Sequence, residues 1–184
     1  MKKVIIAAAL LASTTAAFAE GSYVGGAIGR SHTNLDCTGT TNCSSNSTGG
    51  KVFLGYNIND MFAVEGTYYD LGKASAGVSG ASVDVKSTGF GLRGLVSVPF
   101  NKDFSGFAAL GINRVKSDAT VTAGTFSGNS SQTSTKPSFG LGLDYAISPV
   151  LKVRGEYETV RLNAPYSGGN YDVNTFSIGL KFQF

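Results

Sequence analysis

From Thr175 to Phe184 the chain alternates without a break. Phe176, Ile178, Leu180, Phe182 and Phe184 are apolar, and Thr175, Ser177, Gly179, Lys181 and Gln183 between them are small or polar. An extended backbone throws successive side chains to opposite faces, so this segment reads as a strand with one oily and one wet face. Seven earlier segments carry the same period: 22–31, 51–59, 61–69, 86–98, 104–116, 138–147 and 151–160, with the last at 173–184. Lengths near ten residues suit tilted strands crossing about 25–30 Å of hydrocarbon.

The charges decide which face meets which solvent. Opposite the apolar parity stand Lys51, Glu65, Arg93, Asp144, Lys152, Arg154, Glu156, Glu158 and Lys181. At a bilayer midplane each Arg or Lys facing lipid would cost about 2–4 kcal/mol, and several would rival the whole stability of a domain. These groups therefore face a common interior, where near-balanced opposite charges can pair. Gly25, Gly29, Gly55, Gly91, Gly111, Gly140, Gly142 and Gly179 share that parity and leave room for the long side chains. Tyr56, Tyr68, Tyr145, Tyr157, Phe62, Phe104 and Phe184 lie near strand ends, where interfacial aromatic belts form. The expected fold is all-β: an eight-stranded antiparallel up-and-down transmembrane β-barrel. A soluble sandwich would need its apolar parity to cover a second sheet.

The connections alternate between short (59–60, 99–103, 148–150) and long (32–50, 71–85, 117–137, 161–172), the expected asymmetry between periplasmic turns and external loops. Residues 127–135 are nearly all small and polar and read as a mobile loop. Lys2, Lys3, the apolar run from Val4 to Ala12 and Ala17-Phe18-Ala19 have the form of a cleaved export signal over residues 1–19, leaving 20–184 as one barrel domain. The alternative is a retained anchor, but the run is short for a membrane helix. Loss of Lys2 and Lys3 lowers the formal charge from +3 to +1, and no basic run suggests nucleic acid. Cys37 and Cys43, the only cysteines, suggest a disulfide in an exported chain. Closing so short a ring contributes about 2–2.5 kcal/mol in the chain-entropy account. A metal pair would lack supporting His or Cys, and no cofactor motif stands out.

The run Phe53-Leu54-Gly55-Tyr56-Asn57-Ile58-Asn59, then Val64-Glu65-Gly66-Thr67-Tyr68-Tyr69-Asp70-Leu71-Gly72, resembles a hairpin of the small outer-membrane barrels typified by the OmpA transmembrane domain. Pro137-Ser138-Phe139-Gly140-Leu141-Gly142-Leu143-Asp144-Tyr145-Ala146-Ile147-Ser148-Pro149, continuing to Arg154-Gly155-Glu156-Tyr157, is the stronger match. The resemblance implies a bacterial outer-membrane location and an interior ion-pair cluster of Glu65, Asp144, Arg154 and Glu156. Arg93 stands in for a basic partner, and Ala109 falls where the family has another Arg. It also implies that terminal Phe184 is an assembly signal read by the insertion machinery. The family's periplasmic peptidoglycan-binding domain has no counterpart here. Partners implied are outer-membrane lipid, lipopolysaccharide and host or cell-surface ligands.

Eight strands leave an interior that side chains fill, so a surface-interaction role through the external loops leads. A narrow porin-like channel is the second expectation. A lipid-A-modifying enzyme is the third, and it would have to use His32, the one histidine, with a remote Ser and Asp84 or Asp118. Ser31 adjoins His32 but points to the opposite face.

Overall fold

The computed structural model describes residues 21–33, 42–44, 46–78, 81–123, 126–163 and 170–184. The strands are β1 (Ser22–Thr33), β2 (Asn42–Ser44), β3 (Asn46–Asn57), β4 (Phe62–Val78), β5 (Ala81–Pro99), β6 (Phe104–Ala123), β7 (Phe126–Ala146), β8 (Leu151–Asn163) and β9 (Asn170–Gln183). All pairings are antiparallel. The order β4-β3-β1-β9-β8-β7-β6-β5 closes through β4–β5, giving an eight-stranded up-and-down barrel, while the short β2 lies against β4. Among the described residues no helix is long and apolar enough to cross a membrane.

The polarity is inside out. Ile28 is 69% exposed and Leu110 68%, whereas Glu65 is 0% and Arg154 1%. A wall of Ile, Leu, Val and aromatic side chains facing water would be an aggregation surface, so it faces lipid. Register makes the band level. Leu92 stands beside Ile112, Leu110 beside Phe139, Leu141 beside Tyr157, and Tyr157 beside Phe176. At one end the outward residues change to Arg30, Asp70, Thr88, Arg114 and Thr159. At the other, the Phe104 and Tyr145 rings pack 4.6 Å apart in the aromatic rim.

Both ends of the chain's described barrel and three short turns share this second end. The turns follow one plan. Asn59 Oδ1 accepts from the backbone N–H of Met61 and Phe62, at 2.9 and 2.8 Å, and Asn101 Oδ1 accepts from Asp103 and Phe104 at the same distances. In the third, Ser148 Oγ accepts from Leu151 N–H at 3.1 Å. Such side-chain bonds substitute for a backbone turn.

The hairpin end departs from expectation. The 12 residues of β1 span about 40 Å, enough for the band at a 45° tilt, but the 20 of β6 span about 65 Å. In the segments read as long loops, 71–85 and 117–137, residues 71–78, 81–85, 117–123 and 126–137 are therefore strand. Residues 127–135, expected to be mobile loop, pair with β6 from Ser127↔Thr122 to Thr135↔Arg114. Both parities are polar there because water lies on both sides, so no alternation marks the strand. Pro137 lacks the N–H a ladder needs, and β7 pairs with β8 only from Ser138 onward.

Candidate functional site

Register builds the interior cluster before any side chain bends. Glu65 stands opposite Arg93 across β4–β5, and Asp144 opposite Arg154 across β7–β8. On its other side each long group meets a small one: Gly55 beside Glu65, Gly111 beside Arg93, Gly179 beside Arg154. A Cβ on Gly111 would come within 2.5 Å of the Arg93 Cβ, so glycine is what lets the guanidinium lie across the lumen.

The five expected residues meet in one network. Arg154 donates from Nε and Nη2 to the two Asp144 oxygens at 2.8 and 3.0 Å, and from Nη1 to Glu65 Oε2 at 2.7 Å. Arg93 donates from Nε to Glu65 Oε1 at 2.8 Å and from Nη2 to Glu156 Oε2 at 3.1 Å. Three residues extend it. Lys181 reaches Asp144 at 3.2 Å, and Lys51 reaches Glu156 at 2.8 Å and Glu158 at 3.4 Å. The sequence Lys181, Asp144, Arg154, Glu65, Arg93, Glu156, Lys51, Glu158 thus alternates in sign along its length. Removing an ion from water costs several kcal/mol, and only close partners on each side offset that. The ladder meets this condition with residues from β3, β4, β5, β7, β8 and β9.

The lumen is layered. Toward the turn end the rings of Tyr23, Phe53 and Phe107 enclose Arg154, whose guanidinium carbon lies 4.4 Å from the Phe107 centroid and 4.9 Å from that of Phe53. Buried Ala63, Leu95 and Ala109 complete this plug. Ala109, at the position of the family's further Arg, therefore sits in an apolar layer. Toward the hairpin end lie Val115, Val160 and Val173.

Tyr23, Tyr69 and Asn113 were not singled out from the sequence. Tyr23 Oη donates to Glu65 Oε2 at 3.0 Å, and Tyr69 Oη lies 3.0 Å from both Glu158 Oε1 and Asn113 Oδ1. Parity was the available signal: Tyr69 follows Glu65 and Thr67 at intervals of two, and Asn113 follows Ala109 and Gly111.

Other expected residues are scattered. Ser31 faces inward and shares a hydrogen bond with Thr175 at 2.9 Å, while His32 faces outward, 3.0 Å from Asn46 Oδ1. Asp118 lies far along β6, 2.9 Å from Lys116, where hydrogen bonds from Lys116 and Ser131 hold its carboxyl below the usual carboxylate range. Phe184 turns its ring outward, and its N–H donates to Ser22 O at 2.9 Å, stitching the last strand to the first. Cys37, the side chain of Cys43 and residues 1–19 lie outside the described set. Among the described residues no cluster of three His, Cys, Asp or Glu could hold a metal ion.

The fold has solved relatives. Neisserial surface protein A superposes with a TM-score of 0.67 at 21% identity, covering 90% of this chain and 98% of that one. Ail, the attachment invasion locus protein of Yersinia pestis, gives 0.58 at 20% identity, covering 90% and 100%. The N-terminal β-barrel domain of Pseudomonas aeruginosa OprF gives 0.55 at 14%, covering 90% and 98%. No curated protein sequence matches. Residues 5–184 match the outer membrane protein beta-barrel domain, which joins the inside-out polarity, the closed eight-stranded wall and the paired interior to one family. The chain belongs to the outer membrane protein beta-barrel domain family, and its place is the outer membrane.

Proposed function

We propose that this barrel works at the cell surface through its hairpin end, with the lipid-embedded wall as anchor and without catalysis. The observation that carries the reading is the charge ladder: alternating ions and the aromatic plug fill the lumen, so little is left for transport. Three further features support it. β4 to β7 stand well past the apolar band as a polar wall. Among the described residues β7 between Phe126 and Pro137 pairs on one side only, and an open strand edge is a template for an extended partner segment. Arg30 and Arg114 are exposed just past the band, and a guanidinium suits bidentate pairing with phosphate or sulfate. A barrel of similar fold, Ail, at 18% identity and a TM-score of 0.56, has a structure in complex with the heparin analogue sucrose octasulfate. The proposed partners are thus lipopolysaccharide and anionic cell-surface ligands.

Residues 1–19 act on this reading as a cleaved leader, Phe184 as the assembly signal, and Cys37 and Cys43 as a disulfide at the same exposed end. Opposed directions of Ser31 and His32 favour a non-catalytic role. The test is to shorten β6 and β7 together by removing the paired residues 118–122 and 127–131, which preserves the register between these two strands. Cells carrying the shortened protein should lose adhesion to immobilised sulfated glycan, while the extracted barrel keeps its heat-modifiable gel mobility. Unchanged adhesion, together with steady single-channel conductance of the parent protein in planar bilayers, would instead favour the channel reading.

A further inference from the structure

Beside the upper rungs of the ladder lies a partly open cavity of about 20 Å³, with Val115 and Val160 on its wall and Lys51, Tyr69, Asn113 and Glu158 on its polar side. The hydrogen-bond count on that side does not close. Tyr69 Oη is 3.0 Å from two acceptors, Asn113 Oδ1 and Glu158 Oε1, but a phenol has one proton. With Oδ1 toward Tyr69, the Asn113 Nδ2 group has no partner among the described residues, although Asn113 is 0% exposed. With the amide reversed, Nδ2 donates to Tyr69 and Tyr69 donates to Glu158, and Oδ1 takes the unpartnered place. One amide atom is left without a partner in either orientation, and Asn113 is among the residues that line the cavity.

The missing group is constrained in charge, size and chemistry. The ladder's four carboxylates and four cations balance, so an ion here would bring an uncompensated charge. The volume admits one water-sized molecule. A group that both donates and accepts satisfies Asn113 in either orientation. We infer that the cavity is a water-binding site, hydrogen-bonded to Asn113 and filled from the hairpin end. The lumen is then wet on that side down to Asn113 and dry below the ladder, where rings and methyl groups fill it.

The test is magnetization transfer from solvent in isotope-labelled protein extracted from membranes in detergent. Water should transfer to the Asn113 side-chain amide protons and to the Val115 methyls, and not to the Leu95 or Ala109 methyls. Absence of transfer at Asn113, or equal transfer at Ala109 and Leu95, would overturn the inference. Asn113→Val is the second arm. It removes the amide and fills space, so it should lower the denaturant midpoint if the site is hydrated. A raised midpoint would mean that a dry void had been filled, and would overturn the inference as well.

Discussion

Arg154 is where most of the interior converges. It bonds both oxygens of Asp144 and one of Glu65, and three rings surround it. Replacing it by Met leaves two carboxylates in a dry lumen short of their partner. Arg154→Met should therefore cost about 3–5 kcal/mol, read from reversible urea unfolding in detergent or lipid. The double variant Asp144→Leu with Arg154→Met should cost clearly less than the sum of the two single changes, since it removes both ends of the pair. Simple additivity would mean that the ladder does not act as a unit. Parity made the ions legible, because charge has one tolerable side in a membrane wall. Parity sets Tyr23 and Tyr69 on the inward face, apart from the tyrosines of the belts, but it does not name the partners of their hydroxyls. A tyrosine suits both a membrane interface and a buried hydrogen bond, and in the second only its neighbours decide the partner.

Among the elements, the short turns were legible as breaks and their shared chemistry was not. Asn59, Asn101 and Ser148 each occupy the first position of a turn, and each accepts from the backbone three residues on. Asn101→Ala removes two such bonds at an exposed site and should lower stability by about 1 kcal/mol, measured by the same unfolding assay. No change would show that water replaces the amide at no cost. The outer halves of β4 to β7 were illegible for a different reason. A strand is recognised by contrast between its faces. From Ser127 to Thr135 β7 is polar on both, whereas β5 and β6 alternate in the reverse sense to the membrane strands, with Val85 and the buried Ala119 inward against Lys86 and Asp118 outward. The β-branched residues Thr120, Val121, Thr122, Thr133 and Thr135 were the remaining signal, outweighed by Gly, Ser and Asn around them.

At the scale of the whole molecule, the barrel inverts the usual arrangement. Its apolar side chains contribute by meeting acyl chains, and its ions are tolerated only because each has partners across the lumen. The period-two pattern, the parity of charge and the alternating connections lead to that inversion from sequence. What they leave open is which rungs touch, because this depends on the tilt and stagger at which the wall closes. The chain has no Trp, so a single introduced indole reports without background. Leu110→Trp and Leu141→Trp should be strongly quenched by lipids brominated along their acyl chains, and Thr133→Trp, in the outer half of β7, should not. Quenching at Thr133, or none at Leu110 and Leu141, would contradict a wall whose apolar face meets the bilayer.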